Sequence, residues 1–176
     1  AVLKAAQRLP KTVDPKQHQD RLDITDLPLV TIDGVTAKDF DDAVFAQALG
    51  GQKGWRLVVA IADVANYVKP RSALDAEAAE RSTSVYLPGH VVPMLPEVIS
   101  NELCSLKPNV HRLALVCDMQ VSPKGIVRAY TFYNALIRSH GRLTYEEVQA
   151  YIDHQVALPC QDEDCAAVNK SVRALT

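Results

Sequence analysis

A chain of 176 residues, against a usual domain size of about 150, has room for one domain with its own core and little more. With 48% apolar and 23% charged residues it sits near average globular usage, which excludes a disordered or fibrous chain. Nineteen Lys and Arg against 21 Asp and Glu leave a net charge of −2, which argues against the strongly basic surface of a stand-alone electrostatic nucleic-acid binder. No stretch approaches the roughly 18 apolar residues of a membrane span, and the N-terminus lacks the apolar core of a signal peptide, so no membrane partner is expected. The four cysteines, at 104, 117, 160 and 165, are few and mostly lie inside apolar runs, which reads as reduced thiols in the cytoplasm. Cys160, Cys165 and His154 lack the Cys-x-x-Cys spacing and a fourth ligand that zinc would need.

Residues 1 to 28 carry prolines and alternating charges without a sustained apolar period, and read as a connecting segment on a surface. Leu29 to Ile32 and Ala43 to Leu49 have strand character, Gly50-Gly51 supplies a turn, and Trp55 to Ala62 is an apolar run of strand length, so a hairpin is predicted. Arg71 to Arg81 is alanine-rich, with Ser72 placed to cap a short helix that ends near Ser82. Ser84 to Pro96 holds three prolines and a glycine and is predicted as an ordered, non-regular loop. His111 to Val121, the turn Ser122 to Gly125, and Ile126 to Ser139 predict a second hairpin. Thr144 and Glu147 fit a capping box, in which each side chain satisfies the other's free amide, so a helix should follow to about residue 153. Hairpins followed by helices favour an α+β fold with a mixed, mainly antiparallel sheet over a doubly wound parallel one. The start without Met and the end inside the helix-like run DCAAVNKSVRALT read as a piece of something longer.

The segment Thr31 to Val44, TIDGVTAKDFDDAV, places Asp33, Asp39, Asp41 and Asp42 within ten residues. One like-charge carboxylate pair at about 4 Å costs on the order of 4 kcal/mol at an effective dielectric near 20, so a folded cluster needs cations, shared protons or solvent. In a straight strand Asp39 and Asp41 would face opposite to Asp42, so convergence requires a bend, which Gly34 would ease. An EF-hand loop fails: counted from Asp33, Lys38 stands where glycine is required and Val44 where glutamate is required. Oxygen-only ligands instead suit Mg²⁺ or Mn²⁺ held together with substrate phosphates, which points to phosphoester chemistry. A solvated acidic turn is the competing reading, against which Phe40, an aromatic among the carboxylates, would tether the loop to a core.

TIDGVTAKDFDDAV, VVAIADVANYV, RSTSVYLPGHVVPMLPEVISNELCSL and RLTYEEV, in this order and spacing, resemble the catalytic (RNB) domain of the ribonuclease II and ribonuclease R family, and within it the ribonuclease R branch, over about residues 21 to 153. The resemblance implies a processive 3′-to-5′ exoribonuclease that takes the 3′ end of single-stranded RNA to nucleoside 5′-monophosphates with Mg²⁺ or Mn²⁺ and no small-molecule cofactor. It implies that the family's motif aspartates are Asp33, Asp39, Asp41 and Asp42, with Asp41 the one most directly tied to cleavage, and that Tyr86 stacks on the terminal nucleotides. It further implies a linker over residues 1–20, the N-terminal half of the catalytic domain over 21–176, and a monomeric full-length protein. Arg81, Asn101 and Ser105 lie in family-like segments where they could meet phosphate or sugar, and Asp63 reads as structural. The family's remaining catalytic residues and its flanking cold-shock-like and S1-type domains have no counterpart here, so an RNA-binding or inactive fragment is the alternative.

Overall fold

The computed structural model describes residues 1–51, 53–154, 158–159 and 165–175. Cys160, and with it the dismissed zinc trio, lies outside the described residues. In chain order the elements are α1 (Val2–Ala6), β1 (Leu22–Asp23), β2 (Val30–Asp33), β3 (Asp42–Leu49), β4 (Gly54–Ala62), α2 (Ala73–Arg81), β5 (Val85–Leu87), β6 (His90–Val92), β7 (His111–Val121), β8 (Val127–Arg138), β9 (Gly141–Thr144), α3 (Tyr145–His154) and α4 (Cys165–Leu175). A turn of π-helix, Val98–Leu103, precedes β7.

Among the described residues the strands form a seven-stranded sheet in the order β1-β8-β7-β4-β3-β2-β9 and a separate two-stranded β5-β6 ribbon. The β3–β4 hairpin runs in register from Asp42↔Ile61 to Leu49↔Gly54, and the β7–β8 hairpin is joined to it through β4 and β7, all antiparallel. Only β1–β8 and β2–β9 are parallel, so the sheet is mixed and mainly antiparallel and the fold is α+β. Gly54 is required where β4 begins: its φ is +94°, and a Cβ there would stand 1.9 Å from the Val121 carbonyl oxygen.

Strand alternation sorts the side chains into two layers. On one face Ala43, Phe45, Val58, Ala60 and Val116 are buried under Leu74 of α2 and under Ile99 and Leu103 of the π-helical turn. On the other, Val30 and Leu143 pack with Val168 and Val172 of α4, with Val148 and Tyr151 of α3 alongside. The contact of α4 with β3 has a hydrogen-bonding reason. β2 pairs with β3 only at Val30↔Val44, and the Ala46 amide beyond that point donates to Ser171 Oγ of α4 at 3.0 Å.

Three local expectations change. Ser84 to Pro96 contains the regular β5–β6 ribbon, because Pro88 and Gly89 form its turn and Pro93 follows its second strand, so no proline interrupts the ladder. Residues 1 to 28 are more than a connecting segment on a surface: α1 packs on α2 and buries Ala6, and β1 adds an edge to the sheet. β9, four residues between β8 and α3, pairs in parallel with β2.

Candidate active site

Asp33 ends β2 and Asp42 begins β3, while Asp39 and Asp41 lie on the irregular connection between them. Only the short Val30↔Val44 pairing joins the two strands, so the connection opens into a wide bend that brings the carboxylates near one another. Gly34 has an ordinary φ and open space around the position of a Cβ, so the bend does not depend on it.

Phe40 tethers this bend as expected: it is 5% exposed and belongs to the main core. The Ser105 hydroxyl accepts from the Phe40 amide at 3.1 Å and donates to the Lys38 carbonyl at 2.8 Å, and the Leu106 amide donates to the Phe40 carbonyl at 2.8 Å. From β9, Arg142 donates to the carbonyls of Val35 at 2.7 Å and Gly34 at 3.3 Å, with its guanidinium 5.2 Å from the centre of the Phe40 ring. The Asp41 carbonyl accepts from the Ala62 amide at 2.8 Å, tying the end of the bend to β4.

The electrostatics record the crowding. Desolvation, then the charge of Asp42, raises the Asp33 carboxyl above its ordinary value, with Arg142 opposing. Asp41 is open to solvent at its surface yet stands against enough protein that desolvation is the first cause of its raised pKa, followed by Asp39, Asp42 and Asp33. One oxygen of Asp33, Oδ2, is buried without a hydrogen-bond partner. Among the described residues no three His, Cys, Asp or Glu side chains close on one point as a finished metal cage. The donor set is nonetheless all oxygen, mutually repelling and partly orphaned, which fits a hard divalent cation that keeps several of its waters.

Tyr86, on β5, is brought to this cluster: its hydroxyl donates to Asp39 Oδ2 at 3.1 Å, and that bond is the first cause of its raised pKa. The residue is 67% exposed. Of the remaining candidates, Arg81 bonds Glu77 and the Pro93 carbonyl, and Asn101 lines an open cavity beside Lys38 and Arg142. Ser105 is fully buried with its hydroxyl engaged, which removes it from contact with phosphate or sugar. Asp63 is structural: it pairs with the buried Arg21 at 2.5 Å and accepts from the Asn66 amide. Sequence reasoning missed Arg142, whose place over Phe40 depends on the unforeseen β9, and the clasp made by Ser105.

The sequence profile of the RNB domain matches residues 21–176. The chain is 55% identical to Ribonuclease R of Escherichia coli over 148 residues, 84% of this chain and 18% of that protein. It is 49% identical to Ribonuclease R of Acidithiobacillus ferrooxidans over 161 residues, 92% of this chain and 36% of that protein. The chain therefore spans well under half the length of these relatives. Mycoplasma genitalium RNase R in complex with double-stranded RNA superposes with a TM-score of 0.89 at 38% identity, over 98% of this chain and 30% of that one. A yeast pseudonuclease shares the fold, with a TM-score of 0.70 at 19% identity over 82% of this chain and 18% of that one.

Proposed function

The chain belongs to the RNB domain family, and from that premise we propose that it carries the carboxylate half of the active site of a processive, metal-dependent 3′-to-5′ exoribonuclease. The substrate is the 3′ end of single-stranded RNA and the products are nucleoside 5′-monophosphates. The observation that carries this reading is the bend between β2 and β3, where four aspartates share one surface and Asp33 keeps a buried, unpartnered oxygen. Asp33, Asp39, Asp41 and Asp42 would hold Mg²⁺ or Mn²⁺. The bound cation would supply Lewis-acid activation of water and stabilisation of the leaving 3′ oxygen.

The chain's own residues divide the remaining work. Asp41, whose carboxyl is raised by desolvation and then by the charges of Asp39, Asp42 and Asp33, is the aspartate tied to cleavage. Tyr86 presents an exposed ring beside Asp39, suited to stacking on the terminal base without reading its identity. RNA as partner is supported by the likeness to an RNase R solved with RNA. We take residues 1–20 as the approach to the domain and 21–176 as its first part, in a monomeric protein of the cytoplasm, where the free thiols Cys104 and Cys117 would stay reduced.

A second reading, RNA binding without cleavage, is favoured by the small share of its relatives' length that the chain spans. The variant Asp41→Asn separates the two. On the exonuclease reading it binds a single-stranded oligoribonucleotide as the unaltered chain does but releases no nucleoside monophosphate in Mg²⁺. Turnover retained by Asp41→Asn would overturn the assignment, and binding without turnover by both proteins would favour the second reading.

A further inference from the structure

Asp39 lies where no β-ladder holds the backbone, and Asp41 is held by β4 only through the bond from the Ala62 amide to its carbonyl, so their joint placement needs a further cause. The cause nearest to hand is Ser105, 65 residues beyond Phe40 in sequence. Its hydroxyl acts in both senses at once, accepting from the Phe40 amide at 3.1 Å and donating to the Lys38 carbonyl at 2.8 Å. These two bonds bracket Asp39, and the bond from the Leu106 amide to the Phe40 carbonyl, at 2.8 Å, fixes the peptide that leads into Asp41.

The clasp is itself held. Buried Arg112 donates to the carbonyls of Ser105 at 2.8 Å, Glu102 at 2.7 Å and His111 at 2.9 Å, locking the turn that presents the serine. Ser105 is 0% exposed, so water cannot take over the duties of its hydroxyl.

We propose that Ser105 is a positioning residue for the acidic site, clasping Lys38–Phe40 so that Asp39 and Asp41 present their carboxylates together. The proposal rests on the reading of the aspartates as a divalent-cation site. A hydroxyl supplies a strong donor and a strong acceptor from one atom in this space. Alanine would leave the Phe40 amide and the Lys38 carbonyl without their partner, and the bend would recover hydrogen bonds only by moving toward water, carrying Asp39 and Asp41 with it.

The test compares the unaltered chain with Ser105→Ala, Ser105→Cys and Ser122→Ala, each below its thermal transition. Ser122 is the control for loss of a buried hydroxyl: it accepts from the Ile126 amide at 3.1 Å in the β7–β8 turn. That turn follows Val121, which pairs with Trp55 at the end of β4 opposite to the Ile61 partner of Asp42. Free Mn²⁺ is followed by electron paramagnetic resonance, and hydrogen exchange is followed over residues 38–42. Ser105→Ala should bind Mn²⁺ about tenfold more weakly, in line with the loss of an outer-shell partner, and exchange faster over 38–42. Ser105→Cys, with a weaker donor and acceptor, should fall between, and Ser122→Ala should match the unaltered chain in both readouts. Unchanged uptake and exchange in Ser105→Ala, or equal losses in Ser122→Ala, would overturn the proposal and leave the metal reading standing. Absence of saturable uptake by the unaltered chain would overturn both.

Discussion

Tyr86 joins a hydrogen bond to the acidic bend with an exposed position, and on the proposed function these serve two tasks. The phenol donates to the Asp39 carboxylate at 3.1 Å while the side chain stays exposed. The two tasks separate by substitution. Tyr86→Ala should weaken binding of a single-stranded oligoribonucleotide by about 1–3 kcal/mol, the usual loss for one stacked base, as read by fluorescence anisotropy. Tyr86→Phe should keep most of that affinity, because it removes only the bond to Asp39. Equal affinity in Tyr86→Ala and the unaltered chain would show that the ring does not stack. At this scale the sequence was most readable: an aspartate run with an aromatic inside it, and a hydroxyl and carboxylate spaced as a capping box, state their chemistry locally. Ser105 and Arg142 were not readable, because each acts on backbone groups far away in sequence, 67 residues away at Lys38 and 107 at Val35.

The elements follow the same division. β3, β4, β7, β8, α2 and α3 all stand close to where alternation, capping and turn residues predict them, since each is specified by its own sequence. Ser72 caps α2 by accepting from the Asp75 amide at 3.2 Å. At α3, Glu147 accepts from the Thr144 amide at 2.7 Å and Thr144 Oγ1 accepts from the Glu147 amide at 3.2 Å. Thr144→Ala should therefore cost about 0.5–2 kcal/mol in urea unfolding, with Thr144→Ser restoring most of it. β9 and the β5–β6 ribbon escaped prediction for different reasons. β9 is short and gains its partner only through a parallel pairing with β2, whereas the ribbon was hidden by prolines that turn out to flank its strands. The short β9 still matters for the site, because it carries Arg142 onto the bend and Thr144 onto α3.

At the scale of the molecule the site is a point of stored repulsion on a well-packed sheet. Burial raises the carboxyls of both Asp33 and Asp41, with neighbouring carboxylates adding to it, so the folded chain holds these protons more tightly than the unfolded chain does. Their contribution to stability is fully present below the ordinary value of 3.8 and is lost as pH rises through the raised values. In chelator, Asp41→Asn should then be more stable than the unaltered chain at neutral pH, and the difference should vanish as pH falls below 3.8. Adding Mg²⁺ at neutral pH should stabilise the unaltered chain and narrow that gap, since a ligand bound only by the folded state adds its binding free energy to folding. Urea titrations across pH, with and without Mg²⁺, check both statements. The opposite face of the same accounting is the apolar surface around Ile61, Leu115, Tyr130 and Phe132, which remains exposed on β4, β7 and β8. It shares its side of the sheet with Val44, where α4 covers the neighbouring strands.

The most direct test of the central claim is to incubate the chain with a 5′-labelled single-stranded oligoribonucleotide, in Mg²⁺ or in chelator, and to resolve the products by length. The account gives a ladder that shortens from the 3′ end in Mg²⁺ alone. A ladder that persists in chelator would contradict the claim that these aspartates form a metal-dependent exonuclease site, and RNA of unchanged length under both conditions would overturn the claim that this half of the site cleaves by itself.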